Sequence, residues 1–222
     1  MPDDVPPTRK YDARRRREQA EATRRSILDT AQALFERDGY VETTMDTIAT
    51  ESGVALKTVY NACKTKSGVL RAVWDLVLKG DTGDEPVADR PWYREVLEET
   101  DPERQLRLNA RNACAVKVRI GPMLGVIRSA AGVDPDGAAL WRLIQSDFYE
   151  NQRVIVTSVE EHGGLRTGLD VTAATDILWT LNHPDVWLLL VGERGWSAEQ
   201  FESWFADASC HQLLGADDTV ER

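Results

Sequence analysis

Four polar side chains recur at helical spacing in a short segment of the N-terminal third of the chain. Lys57, Tyr60, Asn61 and Lys64 stand at i, i+3, i+4 and i+7, which places them on one face of a helix. Val59 and its apolar neighbours fall on the other face. A short helix with one buried stripe and an outer face of hydrogen-bond donors and a phenol fits the major groove of DNA. Lys57, Tyr60 and Asn61 are the candidates for contacts to base edges.

The residues before this helix predict a second helix that positions it. Thr43 stands three residues before Asp46, which predicts a capping box at the start of that helix. Met45 and Ile48 then fall on one face at helical spacing. Gly53 follows where the helix should stop, because glycine adopts the left-handed conformation without steric cost. The segment 43–66 is therefore interpreted as a helix-turn-helix.

The flanking residues extend this pattern into a family signature. The agreement in order and spacing comprises Ile27-Leu28-Asp29, Leu34-Phe35, Gly39-Tyr40, Thr43-Thr44, Ile48-Ala49, Gly53-Val54, Thr58-Val59-Tyr60, and Lys66 with Leu70. With these residues the segment resembles the TetR family of one-component transcriptional regulators, over about a fifth of the chain. The resemblance implies a homodimeric protein, in most cases a repressor, that binds a palindromic double-stranded DNA operator and responds to a small-molecule effector.

The resemblance also suggests roles for individual residues. Thr43, Thr44, Thr58 and Lys66 match positions at which the family contacts phosphates, and hydroxyls and lysines bind phosphates without reading sequence. Arg14 to Arg17 could add an arm that contacts the DNA backbone or minor groove, although a solvated run of charges explains them equally well.

Four positions depart from the family pattern, and one of them is Ser67, which replaces the usual acidic residue after Lys66. Ala62 and Cys63 replace a histidine and a phenylalanine, which removes a donor and apolar volume. Ala55 stands where a serine N-cap is common, and such a cap is worth about 1 kcal/mol. These changes leave the fold intact but alter the surface that would read an operator.

Charge is distributed unevenly along the chain. The net charge of −10 alone would argue against a nucleic-acid partner. However, residues 1–80 carry 14 Lys and Arg against 12 Asp and Glu, whereas residues 81–222 carry 13 against 25. Basic charge is thus concentrated at the end that holds the helix-turn-helix.

The remainder of the chain shows helical periodicity and no alternating strand pattern. We therefore expect an all-α protein with a flexible basic arm over 1–19, a three-helix DNA-binding domain over 20–80, and an effector-binding and dimerisation domain over 81–222. Further helices are expected over 102–119, 122–131, 138–162, 170–192 and 197–214, with a bend at His183-Pro184. The dimer would form through the last two, whose apolar residues are Leu178, Leu181, Val186, Leu189, Leu190, Phe201, Trp204 and Phe205.

Large apolar residues with polar neighbours mark the region where an effector would bind. The candidates are Asn109, Asn112, Met123, Trp141, Phe148, Asn151 and Gln152. Ligand pockets combine apolar walls with a few polar groups, which this set supplies. The alternative is that the aromatic residues form a core and that the amides make helix–helix hydrogen bonds.

Other classes of chemistry find little support. The three histidines lack metal-ligand spacing, and we find no catalytic triad order or glycine-rich phosphate loop. We therefore expect no enzymatic activity, no cofactor and no metal. Three widely spaced cysteines and the lack of long apolar runs indicate a cytoplasmic protein without a membrane partner. Cys63 could act as a redox switch, because its oxidation beside the recognition helix would disturb DNA docking, but a small buried apolar residue explains it better. The alternative function is a helical small-molecule or redox-sensing protein whose motif no longer binds DNA.

Overall fold

The regular secondary structure of the protein is helical. A computed structural model describes residues 8–80 and 90–215, with side chains from residue 14 onward. Throughout these ranges the chain forms ten α-helices and one π-helical segment of six residues. They are α1 (Thr8–Glu42), α2 (Met45–Ser52), α3 (Leu56–Cys63), α4 (Lys66–Lys79), α5 (Pro91–Glu98), α6 (Pro102–Ala130), α7 (Pro135–Glu161), α8 (Val171–Leu181), α9 (Pro184–Trp187), the π-helix Leu188–Glu193 and α10 (Ala198–Leu213). The expected all-α class is confirmed.

The chain divides into two compact units, Met1–Val73 and Trp74–Arg222, and the division falls inside α4. Residues 1–7, 81–89 and 216–222 lie outside the described residues, so part of the expected arm and the expected boundary near residues 80–91 lie there too. Residues 8–19, the rest of the expected arm, form the first turns of α1.

The first unit buries the apolar faces of its helices against one another. Its fully or nearly fully buried side chains are Ile27, Leu28, Ala31, Leu34, Phe35, Tyr40, Met45, Ile48, Ala49, Val59, Cys63, Val69, Leu70 and Val73. Because the buried residues of α3 all lie on one side, the polar side of that helix faces solvent.

The start of α2 differs from the expectation at its cap. Thr44 is the N-cap: its Oγ1 accepts from the Thr47 N–H at 3.1 Å, and the Thr47 hydroxyl oxygen accepts from the Thr44 N–H at 2.9 Å. The expected pairing of Thr43 with Asp46 is therefore wrong. Thr43 instead donates its hydroxyl to the Gly39 carbonyl at 2.8 Å, where the backbone leaves the helical conformation with φ 81°.

Pro122 does not interrupt the helix in which it lies. The sequence predicts a break between residues 119 and 122, but α6 continues from Pro102 to Ala130. Proline lacks an N–H, so the Val118 carbonyl loses its helical partner. Both Pro122 and Val118 are exposed, and water can satisfy that carbonyl. The helix therefore continues past the proline.

The second unit forms its core mainly among α6, α7, α8 and α10. Leu178, Phe201 and Phe205 are fully buried in this core, so their expected place on a dimer surface is wrong. By contrast, Leu189 in the π-helix is 49% exposed. Leu178, Phe201 and Phe205 thus pack in the interior of the unit, and Leu189 remains on its surface.

Proline marks two further helix starts. Pro91 occupies the first turn of α5, a helix that the sequence analysis did not foresee and that buries Tyr93 and Val96. Pro184 begins α9, and His183 before it is extended at φ −62° and ψ 140°, as the residue before a proline usually is. The expected bend is therefore a complete break between α8 and α9.

In the ranges 8–80 and 90–215, no helix combines the length and the apolarity needed to cross a bilayer.

Candidate DNA-binding face and ligand cavity

Helices α2 and α3 are joined by a turn that glycine makes possible. Gly53 adopts φ 69° and ψ 25°, and its N–H donates to the carbonyls of Ala49 and Thr50. The Val54 N–H also donates to the Ala49 carbonyl, at 3.1 Å, which closes the end of α2. Ala55 then precedes α3 without a side-chain cap, as expected from its methyl group. The three residues between the helices, Gly53, Val54 and Ala55, therefore determine the angle between α2 and α3.

The outer face of α3 presents the expected polar residues. Lys57, Tyr60 and Asn61 are exposed on α3, and Tyr60 exposes 46% of its surface. Lys64 is also exposed, but it lies beyond the end of α3, so its expected place on the helical face is corrected. None of these four side chains makes a hydrogen bond or an ion pair to another described residue. Val59 is completely buried on the opposite side and anchors the helix. Donors, a phenol and an amide are thus available to a groove of DNA.

The chain leaves α3 through a strained turn. Lys64 adopts φ 64° and ψ −51°, and the Thr65 N–H donates to the Cys63 carbonyl at 2.7 Å. This is a γ-turn, a rare conformation for an L-residue that stores about 1–3 kcal/mol. A Cβ on Gly68 would stand 2.1 Å from the Cys63 carbonyl oxygen, so only glycine fits there. The strain shows that the surrounding contacts hold the end of α3 firmly.

The residues assigned to phosphates occupy different environments. Thr44 is exposed and Thr58 is half-buried. Thr43 is only 1% exposed, and its hydroxyl donates a hydrogen bond to the Gly39 carbonyl. Thr43 therefore has a structural role, and its expected contact with DNA is corrected. Lys66 donates to the carbonyls of Tyr40, at 2.8 Å, and Val41, at 3.2 Å.

The basic run at the start of α1 is partly neutralised. Arg14 pairs with Glu18 at 2.8 Å and Arg17 with Glu21 at 3.0 Å, each one helical turn apart and highly exposed. Such pairs contribute well under 1 kcal/mol each, so phosphates can displace the glutamates.

Cys63 is poorly suited to redox sensing. The thiol is buried, and burial raises its pKa, although Arg24 with its Nη1 3.7 Å from the sulfur opposes that effect. Because the thiolate is the reactive form, a raised pKa suppresses oxidation. The side chain behaves as a small apolar residue in the core of the first unit.

The second unit encloses a cavity of about 320 Å³. Its walls come from the end of α4 and from α5, α6, α7 and the residue after α8. The lining residues are Trp74, Leu78, Trp92, Tyr93, Val96, Asn109, Asn112, Ala113, Val116, Lys117, Arg119, Ile144, Asp147, Phe148, Glu150, Asn151, Gln152 and Asn182. The volume is at the lower end of the range for small-molecule sites.

Five of the seven expected ligand-binding residues line this cavity, namely Asn109, Asn112, Phe148, Asn151 and Gln152. Met123 and Trp141 do not line it, and this part of the expectation is corrected. Met123 is completely buried in the core, and Trp141 packs edge-on against His183 and under Arg128, 5.6 Å from its ring centre. Large apolar residues at helical spacing mark a core and do not distinguish it from a pocket.

The polar atoms of the cavity are incompletely satisfied. Asn112 donates to the Trp92 carbonyl at 2.8 Å. The Asn109 amide nitrogen and the Gln152 amide oxygen are buried and have no hydrogen-bond partner among the described residues. Buried amide groups usually find partners, so these two indicate a site that a ligand can complete.

Lys117 lines the cavity and was missed by the sequence analysis. It is 1% exposed and donates to the Asn182 side-chain oxygen. Desolvation lowers its pKa to about 7. The signal was present: Leu106, Ala110, Cys114 and Lys117 follow one another at spacings of three or four on the buried face of α6. The position of Lys117 in this apolar stripe therefore predicts that its side chain points inward, although lysine is usually exposed.

Comparisons with known proteins agree with this geometry. Residues 27–73 match the model of a family described as bacterial regulatory proteins, tetR family. The HTH-type transcriptional regulator AcrR of Shigella flexneri is 36% identical over 64 residues, which are 29% of this chain and 30% of that protein. The chain thus spans about a third of the length of the curated relative that it matches.

Solved structures extend the likeness over most of the fold. SmeT in its triclosan complex superposes with a TM-score of 0.69 at 20% identity, over 90% of this chain and 98% of that one. A TetR transcription regulator from Haloarcula marismortui gives 0.65 at 19% identity, over 87% and 99%. PfmR, a TetR-family regulator from Thermus thermophilus, gives 0.62 at 22% identity, over 86% and 95%. At these identities the likeness establishes the fold alone.

The segment 27–73 thus matches the tetR family of bacterial regulatory proteins, and the fold of the described residues resembles that of solved TetR-family regulators.

Proposed function

We propose that this protein is a ligand-responsive homodimeric transcriptional repressor in the cytoplasm that binds a palindromic DNA operator through α3. The observation that carries the proposal is the outer face of α3. Lys57, Tyr60 and Asn61 are exposed there, Lys64 is exposed in the turn that follows, and none of the four has a partner among the described residues. Polar side chains without partners on a firmly held helix are what base readout requires.

The residues divide into those that read bases and those that position the helix. Lys57, Tyr60 and Asn61 stand on the first and middle turns of α3, where side chains reach base edges. Thr44 at the N-terminus of α2 and Thr58 are suited to phosphates, because helix N-termini and hydroxyls bind anions without reading sequence. Lys66 retains one N–H beyond its two carbonyl bonds for the same purpose.

A dimer follows from the size of the recognition helix. A single helix of eight residues contacts only a few base pairs, so two copies are needed for useful specificity. The partly buried apolar residues of α8, the π-helix and α10 are candidates for the contact between copies, among them Leu181, Leu190 and Trp204. A two-fold axis would place the same residues on both sides.

The cavity supplies the control of DNA binding. It has an apolar wall that includes Trp92 and Phe148 and unpaired amide atoms on Asn109 and Gln152. SmeT, which shares the fold, was solved in complex with triclosan. A ligand weakens DNA binding if it prefers a dimer whose two recognition helices no longer match successive major grooves.

Selection from a random duplex library tests the proposal. The full-length protein should enrich a palindrome whose half-site centres lie about one helical turn apart. The charge-matched variants Lys57→Ala and Arg142→Ala each remove one exposed cation, from α3 and from α7 respectively. Lys57→Ala should alter or abolish the consensus and Arg142→Ala should leave it unchanged. If the wild type enriches no consensus at moderate salt, the protein instead senses small molecules without reading DNA.

A further inference from the structure

A buried cation without a counter-ion lies in the second unit. Lys117 is among the largest fully buried side chains, and its Nζ lies 5.5 Å from the ring centre of Phe148 and 5.4 Å from that of Phe201. Its hydrogen-bond partner is the neutral amide of Asn182. Among the described residues no carboxylate pairs with it. An ammonium has three donors, so Lys117 retains hydrogen-bonding capacity beyond Asn182.

The charged groups near Lys117 differ in depth. The ionisable groups that line the same cavity are Tyr93 on α5, Arg119 on α6, and Asp147 and Glu150 on α7. Cys114 on α6 and His183 before α9 interact electrostatically with Lys117, and Glu199 and Glu202 on α10 interact with Cys114. Asp147, Glu150 and Arg119 are exposed at the rim, where water screens them. Lys117 lies at the dry end, where electrostatic interactions are strongest.

Two amide side chains contribute further unpaired polar atoms to the same cavity. Asn109, Gln152 and Lys117 all line the cavity. The Asn109 amide nitrogen is an unpaired donor and the Gln152 amide oxygen an unpaired acceptor, and both are buried. Lys117 therefore has donors available for an acceptor group in the cavity, and a carboxylate has the most acceptor capacity.

We propose that the effector of this cavity is a compact aromatic or alicyclic monoanion, whose carboxylate binds Lys117 while its apolar body packs against Trp92, Ile144 and Phe148. The inference rests on the proposed function in taking the cavity as the effector site. It adds the charge, the size class and the orientation of the effector, with its anionic group buried and its body toward the rim.

Such binding is linked to a proton. Burial lowers the pKa of Lys117 to about 7 in the free protein, and a neighbouring carboxylate favours the ammonium. Ligand binding should therefore take up about one proton at pH 8 and about half a proton at pH 7. Burial lowers the pKa of His183 and raises the pKa of Cys114, which keeps both neutral over most of this range.

Matched pairs of ligands test the charge requirement. The probes are 3-phenylpropanoate, 2-naphthoate and indole-3-propanoate, each compared with its primary amide by calorimetric titration of the full-length protein. At least one carboxylate should bind about tenfold more tightly than its amide at pH 7, since hydrogen bonds between ionised groups are roughly twice as strong as neutral ones. Titrations at pH 8 in phosphate and in Tris buffer report the proton uptake.

Variants then assign the effect to one residue. Lys117→Met keeps the length and apolar bulk of the side chain and should abolish both the carboxylate preference and the proton uptake. Arg142→Met removes an exposed cation that does not line the cavity and should keep both. Equal affinity of carboxylates and amides for the wild type, or a preference that survives in Lys117→Met, overturns the inference. Failure of all six probes to bind at millimolar concentration also overturns it.

The proposed control of DNA binding is tested separately. The carboxylate that binds most tightly is added to the complex of wild-type protein with its selected duplex. If the carboxylate binds in a Lys117-dependent way but the affinity for the duplex is unchanged, the anion site is supported and ligand control of DNA binding is refuted. If instead an amide binds and weakens the affinity for the duplex, the cavity is supported as the effector site and its specificity for anions is refuted.

Discussion

Replacement of Lys117 by methionine should stabilise the ligand-free protein, and the gain should shrink as the pH rises. The unfolded lysine has a pKa of 10.5, and desolvation lowers the pKa in the fold to about 7. Between these values the unfolded chain binds more protons than the folded one, so the stability of the wild type rises with pH. At about 1.4 kcal/mol per pKa unit, the buried lysine opposes folding by about 4 kcal/mol at pH 7 and about 2 kcal/mol at pH 9.

Methionine removes this penalty and introduces a smaller one. It leaves the Asn182 side-chain oxygen buried without its donor, which costs about 1–3 kcal/mol. Lys117→Met should therefore be more stable than the wild type by about 1–3 kcal/mol at pH 7, and nearly equal to it at pH 9. The pH dependence is the sharper part of the prediction, because the missing hydrogen bond affects both measurements equally.

Urea denaturation of both proteins at pH 7 and pH 9, at one protein concentration, measures these differences. Titrating groups that do not interact with Lys117 cancel in the comparison, and burial favours the neutral form of the two that do, Cys114 and His183. Arg142→Met, at an exposed position, serves as the control and should differ from the wild type by the same amount at both pH values. A stability difference between Lys117→Met and the wild type that does not fall with pH would refute the reasoning, because Lys117 would then be charged in both states.

Three further predictions concern the DNA-binding unit and the assembly. Tyr60→Ala should weaken binding to the selected duplex by about 1–3 kcal/mol and relax its specificity, as anisotropy titrations on single-base variants of the duplex will report. Gly68→Ala should lower the free energy of unfolding by at least about 2 kcal/mol, since its Cβ meets the Cys63 carbonyl at 2.1 Å, whereas Gly192→Ala, with nothing within 4 Å, should not. Light scattering should give about twice the 24.9 kDa chain mass, and a monomer at micromolar concentration would contradict the dimer.

Local signals in the sequence were sufficient for the helix-turn-helix. Gly53 at the end of α2 and the polar face that includes Lys57 and Tyr60 depend on backbone conformation and helical spacing, which neighbouring residues determine. The cap at Thr44 was misplaced by one residue, because Thr43 and Thr44 have the same chemistry. The choice between them depends on the kink at Gly39, whose carbonyl accepts from the Thr43 hydroxyl, and residue types alone do not predict that local backbone geometry.

The cavity was harder to predict because it depends on contacts between distant segments. Asn109 and Gln152 were recognised as polar groups on apolar faces, and both line it. Met123 and Trp141 were assigned to it on size alone, although a core requires the same size. Lys117 was overlooked since a lysine is usually exposed, and its burial depends on the aromatic rings that α7 and α10 bring to it.

The central claim, that α3 reads a specific DNA sequence, is tested most directly by competition between two duplexes. The full-length protein is titrated by fluorescence anisotropy against the selected palindrome and against a scrambled duplex of the same composition, at several salt concentrations. The account predicts that the palindrome binds at least about 10³-fold more tightly at physiological salt, and that Tyr60→Ala narrows this ratio. Equal affinity for both duplexes at every salt concentration would show that α3 contributes only charge, and would contradict the account.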